Sequence, residues 1–435
     1  MTAHKTIGLA TLVSLVIANM IGAGVFTTSG FAMGDLGTSW RVIAAWLVGG
    51  GLALCGAMSY GMLARLIPVS GGEYLFLSRN IHPLAGFIAG WISLLAGFTA
   101  PIAFAAITLE VYTLPESLSN GALKNTVASA AILSAALLHG FQARHGAVLQ
   151  NAAVALKLVL IAGFLGVAVL SMASHPWEGI TAMSVGEPAV MPFSIAAFAT
   201  TLMWVSFSYS GFNAAVYVAS EADDARARVP AAMVLACLLV MLIYLLLNAV
   251  FVFAPAAEAI AYKQDVAAIA AHAIGGNSLS IAVRIIIVIA LFTSVSAMMM
   301  AGPRVYARMA EDGLMPRILR YTKAAPGAAI AVQALLAVVV VWIAGLRELL
   351  SYLGITLSLS AAATVASLFV LARNNPDKFK SLRGYPVLPA IYVGFTLLFI
   401  LIAATRNPWE VVAALVTLLS GALVYWIWKG YQAAG

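Results

Sequence analysis

Long apolar runs separated by short polar stretches repeat along the whole chain. A helix needs roughly 20 apolar residues to cross a bilayer. Twelve runs meet that length, over 6–33, 40–66, 83–112, 122–140, 147–173, 192–220, 230–255, 279–307, 327–345, 349–372, 385–404 and 408–429. The first stays uncharged over 6–34, too long for the apolar centre of a signal peptide. It leads into loop and helix signals rather than a cleavage site, so it is read as a retained span. Two connections should carry structure of their own. The stretch 70–80 has two glycines and alternating aromatics and predicts a short interfacial segment. In 311–321, Leu314, Ile318 and Leu319 oppose Arg317 and Arg320, which predicts a short amphipathic helix on the membrane surface. The longest polar insert, 256–278, is alanine-rich and weakly helical.

Composition makes the membrane reading firm. Of 435 residues, 63% are hydrophobic and 9% charged, against about 45–50% and about 25% in soluble proteins. Mean hydropathy is +1.00. A soluble domain of this size would need a far more polar surface. The same numbers exclude disordered, fibrous, disulfide-stapled and nucleic-acid-binding classes. The net charge of +7 is therefore read through the loops. Of the 23 lysines and arginines, Arg41, Lys124, Lys263, Arg347 and Arg406 fall in odd-numbered connections, and Lys157 and Arg284 fall within spans. The remaining sixteen lie in the even-numbered connections and termini, so both termini are expected in the cytoplasm. Cys55 and Cys237 lie inside apolar runs and read as small core residues. No metal-ligand spacing or cofactor motif occurs.

Two spans carry interruptions. A helix that unwinds at membrane depth frees backbone polar groups, which hydrocarbon does not tolerate unless the break lines a cavity. Span 1 contains Asn19-Met20-Ile21-Gly22-Ala23-Gly24-Val25-Phe26, and glycines two apart permit unwinding. Span 6 contains Phe207-Ser208-Tyr209-Ser210-Gly211-Phe212-Asn213 in the middle of an uncharged run over 188–220, too long for one straight span. Spans 1 and 6 are equivalent positions if ten spans form two five-helix halves, a pattern that points to a secondary transporter built from inverted repeats. The half-helix starting near Val25 offers free N–H groups and a positive dipole end, suited to a carboxylate. Carbonyls of Phe207, Ser208 and Ser210, freed by the second break, suit an ammonium group. A ligand with both groups on one carbon is an α-amino acid. The competing reading of Gly22 and Gly24 is a small-residue packing face.

These residues resemble the amino acid–polyamine–organocation (APC) transporters, especially their L-amino-acid and cationic amino-acid branches. Ile21-Gly22-Ala23-Gly24-Val25-Phe26 is similar to the family's Gly-Ser-Gly-Ile/Val-Phe. Phe207-Ser208-Tyr209-Ser210-Gly211-Phe212-Asn213, with Glu221 and Pro230 following, resembles its Phe-Ala-Tyr-x-Gly-Trp-Asn signature. Pro68-Val69-Ser70-Gly71-Gly72-Glu73-Tyr74 matches the loop after span 2. Gly302-Pro303-Arg304-Val305-Tyr306 and Asp312-Gly313-Leu314-Met315-Pro316 match the end of span 8 and the loop beyond it. The resemblance implies an all-α LeuT-type fold in a single transmembrane domain. Its inverted repeats would be 6–173 and 192–372, with two peripheral helices in 385–429, and its helices 1 and 6 broken. By position it implies that Ile21, Ala23, Gly24 and Val25 bind the substrate, with the N–H groups of Ala23, Gly24 and Val25 holding its carboxylate. Phe207, Ser208 and Ser210 would bind the amine, Phe207 would be the aromatic gate, and Asn213 would fix the unwound segment. Ala23 replaces a serine, Phe212 a tryptophan, and Ser210 stands where many relatives have glycine, so the ligand pose and substrate range do not transfer from any one relative.

Lys157 lies mid-way along span 5, where a lysine costs about 2.5–3.5 kcal/mol on insertion scales. It should face the interior and have partners. In sodium-independent relatives a lysine on this helix occupies the place of a sodium ion, and the resemblance implies that Lys157 bonds the carbonyls near Gly22 and the hydroxyl of Ser294 or Ser296. It is either a fixed cation or a proton carrier. Arg284 near the end of span 8 should snorkel to the surface. Glu110 at the outer end of span 3 is a solvated rim carboxylate or an attractor for a cationic substrate. His139 and His145 read as interfacial. With no acid at mid-membrane depth in spans 3, 6, 8 or 10, neutral substrates are favoured over cationic ones.

The leading reading is a sodium-independent L-amino-acid transporter, an exchanger or a proton symporter. Its alternative is a cationic amino acid or polyamine transporter of the same fold. A channel would need a repeated filter motif or a ring of charges, and neither occurs. An intramembrane enzyme would need zinc, paired-carboxylate or Gly-x-Ser-x-Gly signatures, and none occurs. A transport-dead sensor on this scaffold stays open. Some relatives bind a single-span partner through a cysteine between spans 3 and 4. The stretch 111–124 has no cysteine, so no covalent partner is expected. Short termini and alanine-rich composition point to a bacterial inner membrane.

Overall fold

The structure is a computed structural model that describes residues 7–119, 121, 123–141, 146–174, 177–180, 192–311, 313–320 and 326–434. Its helices are α1 (Leu9–Met20), α2 (Gly24–Leu36), α3 (Ser39–Leu66), α4 (Gly72–Asn80), α5 (Pro83–Thr113), α6 (Thr126–Phe141), α7 (Gly146–Ser174), α8 (Ile195–Ser208), α9 (Ala225–Phe253), α10 (Val266–Glu311), α11 (Gly327–Ile343), α12 (Leu346–Asn374), α13 (Val387–Ala403) and α14 (Pro408–Ala434). Seven of them are long and apolar enough to cross a membrane unaided. The pair α1 and α2, bent by 44° across a short break, forms an eighth span. Four shorter apolar helices, α6, α8, α11 and α13, occupy the other four expected positions. The protein is an all-α polytopic membrane protein with broken helices.

The departures from the sequence reading have local causes. The stretch 70–80 becomes α4, as expected for a structured connection. The amphipathic helix expected in 311–321 does not form. Among the described residues beyond Glu311, where α10 ends, the 3-10 turn Arg317–Leu319 is the helical part, and Ile318 lies exposed. Asp312 and 321–325 lie outside the described residues. The insert 256–278 is more helical than expected. It holds the turn Ala257–Ile260 and the start of α10, which kinks at Gly275 and at Gly276, whose φ of 66° suits glycine. A π-helical turn, Ser93–Thr99, widens α5 just before Pro101. Proline cannot donate the backbone bond of a regular α-helix, so the ladder there shifts.

α3 runs along α9, and α8 packs between α2, α12 and α13. α14 packs against α5 and α12. On the face carrying the N-terminal segment, Ile7 pairs with the chain near Ala222. Its N–H donates to the Glu221 carbonyl at 2.8 Å. On the opposite face, Asp35 at the end of α2 accepts from Arg347 and Arg406 at 2.9 and 3.0 Å. Its side chain is 1% exposed, so the two guanidinium groups compensate a buried charge.

Glu110 does not stand at a solvated rim. It is 3% exposed and accepts the backbone N–H groups of Asn125 (2.7 Å) and Ala128 (3.0 Å). A carboxylate there caps the start of α6 and complements its dipole. Glu110→Gln should lower stability by about 1–2 kcal/mol and leave the charge preference for substrate unchanged. Thermal unfolding and arginine competition would measure the two effects. Arg284 is likewise held rather than snorkelling freely. It pairs with Asp265 and lies 5.9 Å from the Tyr112 ring centre.

Candidate functional site

The two interruptions cross each other. α1 ends at Met20, the backbone turns extended at Ile21 (φ −77°, ψ 90°), and α2 begins at Gly24. The first intrahelical bond of α2 is the Phe26 N–H to the Ala23 carbonyl at 3.1 Å. The N–H groups of Ala23, Gly24 and Val25 therefore precede the hydrogen-bonded ladder, as at any helix start. α8 ends at Ser208, and the chain turns through Gly211, at φ 96°, before the 3-10 segment Ala214–Glu221. Only glycine takes that φ without strain.

The contact between the breaks is reciprocal. A Cβ added to Gly24 would stand 2.5 Å from Ser208 Oγ and 3.1 Å from Ser208 Cα. A Cβ added to Gly211 would stand 2.8 Å from the Asn19 carbonyl oxygen. The two glycines thus let the backbones touch. Gly22 differs, because a Cβ there would meet nothing within 4 Å. Gly22 and Ser210 are partly exposed while Ile21, Ala23, Gly24 and Val25 are buried, so the crossing borders open space on one side.

Tyr244 on α9 joins the breaks. Its hydroxyl lies 2.6 Å from the Met20 carbonyl and 3.1 Å from the Ser208 carbonyl, donating one proton between the ends of both half-helices. The Phe207 carbonyl accepts the Ser210 N–H at 2.9 Å. The Phe207 carbonyl also takes the Tyr209 N–H, so it is engaged twice, whereas the Ser208 carbonyl is engaged once and keeps a second lone pair for an ammonium group. Tyr244→Phe leaves two buried carbonyls short of a donor. It should destabilise the protein by about 1–3 kcal/mol, read as a lower midpoint of thermal unfolding in detergent.

The flanks are tied down as well. Thr28 and Ser208 hydroxyls meet at 3.1 Å. Ser29 donates to Asn248 and accepts from Trp46 Nε1 at 2.9 Å. Tyr112 donates to the Phe26 carbonyl at 2.8 Å. Phe207, expected as the gate, stands edge-to-face with Phe104 on α5, their ring centres 5.2 Å apart.

Lys157 on α7 is 8% exposed. Its ammonium donates to the Ile21 carbonyl at 2.9 Å and to Ser294 Oγ at 3.2 Å. Ser294 in turn donates its hydroxyl to the Ala290 carbonyl at 3.0 Å. The cation therefore sits on a carbonyl freed by the first break, one residue from Gly22. Ser296 does not join it, for it pairs instead with His139 Nε2 at 2.8 Å. His139 is thereby a half-buried partner of α10 rather than a surface residue. His145 lies outside the described residues.

Asn213 is turned away from the crossing. Its amide donates to Glu73 on α4, which also accepts from the hydroxyls of Tyr217 and Tyr60. Sequence reasoning quoted Glu73 only as part of a loop motif and missed Tyr244 and Asp35. These three act through partners far along the chain, and no local spacing signals them.

An apolar bundle crossed by a seam of freed backbone groups and one buried ammonium is the architecture of a membrane transport protein. The chain belongs to the amino acid permease family, whose profile matches residues 7–427. Members of that family are transporters, not enzymes. The chain is 22% identical over 431 residues to the Asc-type amino acid transporter 1 of Homo sapiens, covering 97% of this chain and 82% of the relative. It is 24% identical over 435 residues to the large neutral amino acids transporter small subunit 2 of Rattus norvegicus, covering 98% and 81%. It is 24% identical over 424 residues to the cystine/glutamate transporter of Homo sapiens, covering 95% and 83%.

Proposed function

We propose that the protein is a sodium-independent secondary transporter of L-amino acids, an exchanger or a proton symporter, with neutral amino acids favoured. The observation that carries this reading is the crossing of the two breaks. There the start of α2, with the N–H groups of Ala23, Gly24 and Val25 ahead of its hydrogen-bonded ladder, meets the end of α8, with the carbonyls of Phe207, Ser208 and Ser210, as the contact of Gly24 with Ser208 shows. The N–H groups hold the α-carboxylate at the positive end of α2. The carbonyls hold the α-ammonium, and the side chain occupies the open space beside Gly22. Phe207 closes the site. The relatives are named for Asc-type, large neutral and cystine/glutamate transport, which supports an amino acid as the substrate. The cationic alternative lacks the support of Glu110, which caps a helix instead.

In this reading Lys157 supplies, from α7, the positive charge that a sodium ion would bring to the first break. Alternating access follows from two five-helix repeats, 6–173 and 192–372, with 385–429 peripheral. Both termini lie in the cytoplasm. No disulfide-linked partner is needed, since Cys55 and Cys237 sit within α3 and α9. The test is uptake of radiolabelled alanine, leucine and arginine into proteoliposomes, with and without internal amino acid and with and without a pH gradient. Uptake of alanine or leucine that requires internal amino acid marks an exchanger, and uptake driven by an inward proton gradient marks a symporter. Movement of arginine alone overturns the neutral preference. No movement of any amino acid by folded protein overturns the transport reading.

A further inference from the structure

The carboxylate of Glu73 lies apart from the substrate crossing, on the face that carries the N-terminal segment. It is 8% exposed and accepts three hydrogen bonds, from Tyr60 on α3 at 2.9 Å and from Asn213 and Tyr217 beyond the second break. All three donors are neutral. Its charge is thus held by hydrogen bonds alone, an arrangement that stands only while the donors stay in place. Two of the three belong to the segment that continues α8 past its interruption.

Further contacts run beside it. Ser70 and Ser220 exchange two bonds, each backbone N–H donating to the other's hydroxyl at 2.9 Å. The Tyr217 ring lies on the backbone of Gly72, where a Cβ would come within 2.3 Å of it; Gly72 also has φ 56°. Ile7 bonds the end of the same segment. The half-helix beyond the second break is thus fastened along its length to α4 and the N-terminal segment, and Glu73 is the one charged group among these fastenings.

We propose that Glu73 is the latch of the gate on this face, a positioning residue that keeps Ala214–Glu221 closed over the substrate site through Asn213 and Tyr217. The proposal rests on the alternating-access reading above. Opening this face moves Ala214–Glu221 off α4, and the carboxylate then loses two of its three donors. Closure restores them. The latch acts on the balance between closed and open forms and touches no substrate.

A reporter of opening tests it. Ala219, buried within Ala214–Glu221, is changed to cysteine in a Cys55→Ala, Cys237→Ala background, and its reaction with a polar maleimide is timed in nanodiscs, where both faces are accessible. Glu73→Gln puts amide N–H donors where donors already point. It should speed labelling about 10-fold, the effect of losing one charge-assisted hydrogen bond. Tyr217→Phe should speed it in the same direction by less, and it decides the matter if Glu73→Gln fails to fold. Glu110→Gln, equally buried but remote from the gate, should leave the rate unchanged. Unchanged labelling in both Glu73→Gln and Tyr217→Phe, or equal acceleration by Glu110→Gln, overturns the proposal. Uptake by the unmodified protein is scored separately. Transport without an effect of Glu73 on labelling refutes the latch alone, whereas an effect of Glu73 in a protein that moves no amino acid refutes the transport reading.

Discussion

Lys157→Ala should reduce amino acid exchange in proteoliposomes by about 100-fold or more, because it removes two hydrogen bonds made by a charged donor, each worth about 1.5–3 kcal/mol. The ammonium is the donor that reaches the Ile21 carbonyl from α7. Without it that carbonyl faces the bundle interior unpartnered, and the link through Ser294 to α10 is lost. The turn that presents Ala23, Gly24 and Val25 would then be free to rewind or shift. The size of the loss can be measured as initial exchange rate against internal amino acid. If Lys157 is a fixed cation, the loss is the same with and without a pH gradient. If it carries the proton, residual uptake persists and no longer responds to the gradient. Retention of wild-type exchange would remove Lys157 from the transport machinery.

The second large effect separates three glycines that look alike in the sequence. Gly211→Ala must adopt φ 96° and place a Cβ 2.8 Å from the Asn19 carbonyl oxygen, a backbone atom that cannot step aside. The left-handed conformation alone costs about 1–2 kcal/mol, and the clash adds to it by forcing the breaks apart. Gly24→Ala meets Ser208 Cα at 3.1 Å with the same consequence. Both should unfold at lower temperature and lose most exchange activity. Gly22→Ala meets nothing within 4 Å. It should keep its thermal stability and lose affinity for substrate, because its methyl group enters the space assigned to the ligand. Equal destabilisation by all three would mean that Gly22 packs like the others and borders no site.

What was legible in the sequence was what hydrophobicity and local chemistry encode. The apolar runs mark where helices form, and among the described residues eight of the twelve expected positions hold helices or a helix pair long enough to span, while four hold shorter apolar helices. The two breaks follow from Gly22 and Gly24 and from Ser210 and Gly211 in the middle of uncharged stretches. Lys157 stands out because a charge inside an apolar run requires a partner, and of its two candidate serines Ser294 lies within hydrogen-bond distance while Ser296 pairs with His139. The misses are non-local. Tyr244 reads as an ordinary aromatic in an apolar helix, yet it bonds Met20, 224 positions away. Asp35 and Arg406, separated by 371 positions, meet only because α2 ends beside the turn before α14. Glu110 was misread because its partners, Asn125 and Ala128, lie at a helix start whose approach to α5 no spacing encodes. The short amphipathic pattern over 311–321 was too brief to hold a helix, since nucleation fixes several residues before each further residue gains a bond.

The most direct test of the central claim is equilibrium binding of leucine against two analogues that each lack one polar group. 4-Methylpentanoate keeps the carboxylate and lacks the amine, and 3-methylbutylamine keeps the amine and lacks the carboxylate. Displacement of radiolabelled leucine from purified protein should occur with leucine and be weaker by about 100-fold or more with either analogue, because each leaves one set of backbone groups unpaired. Equal displacement by one of the analogues would mean that only one of the two breaks recognises the ligand, and the crossing would no longer account for binding.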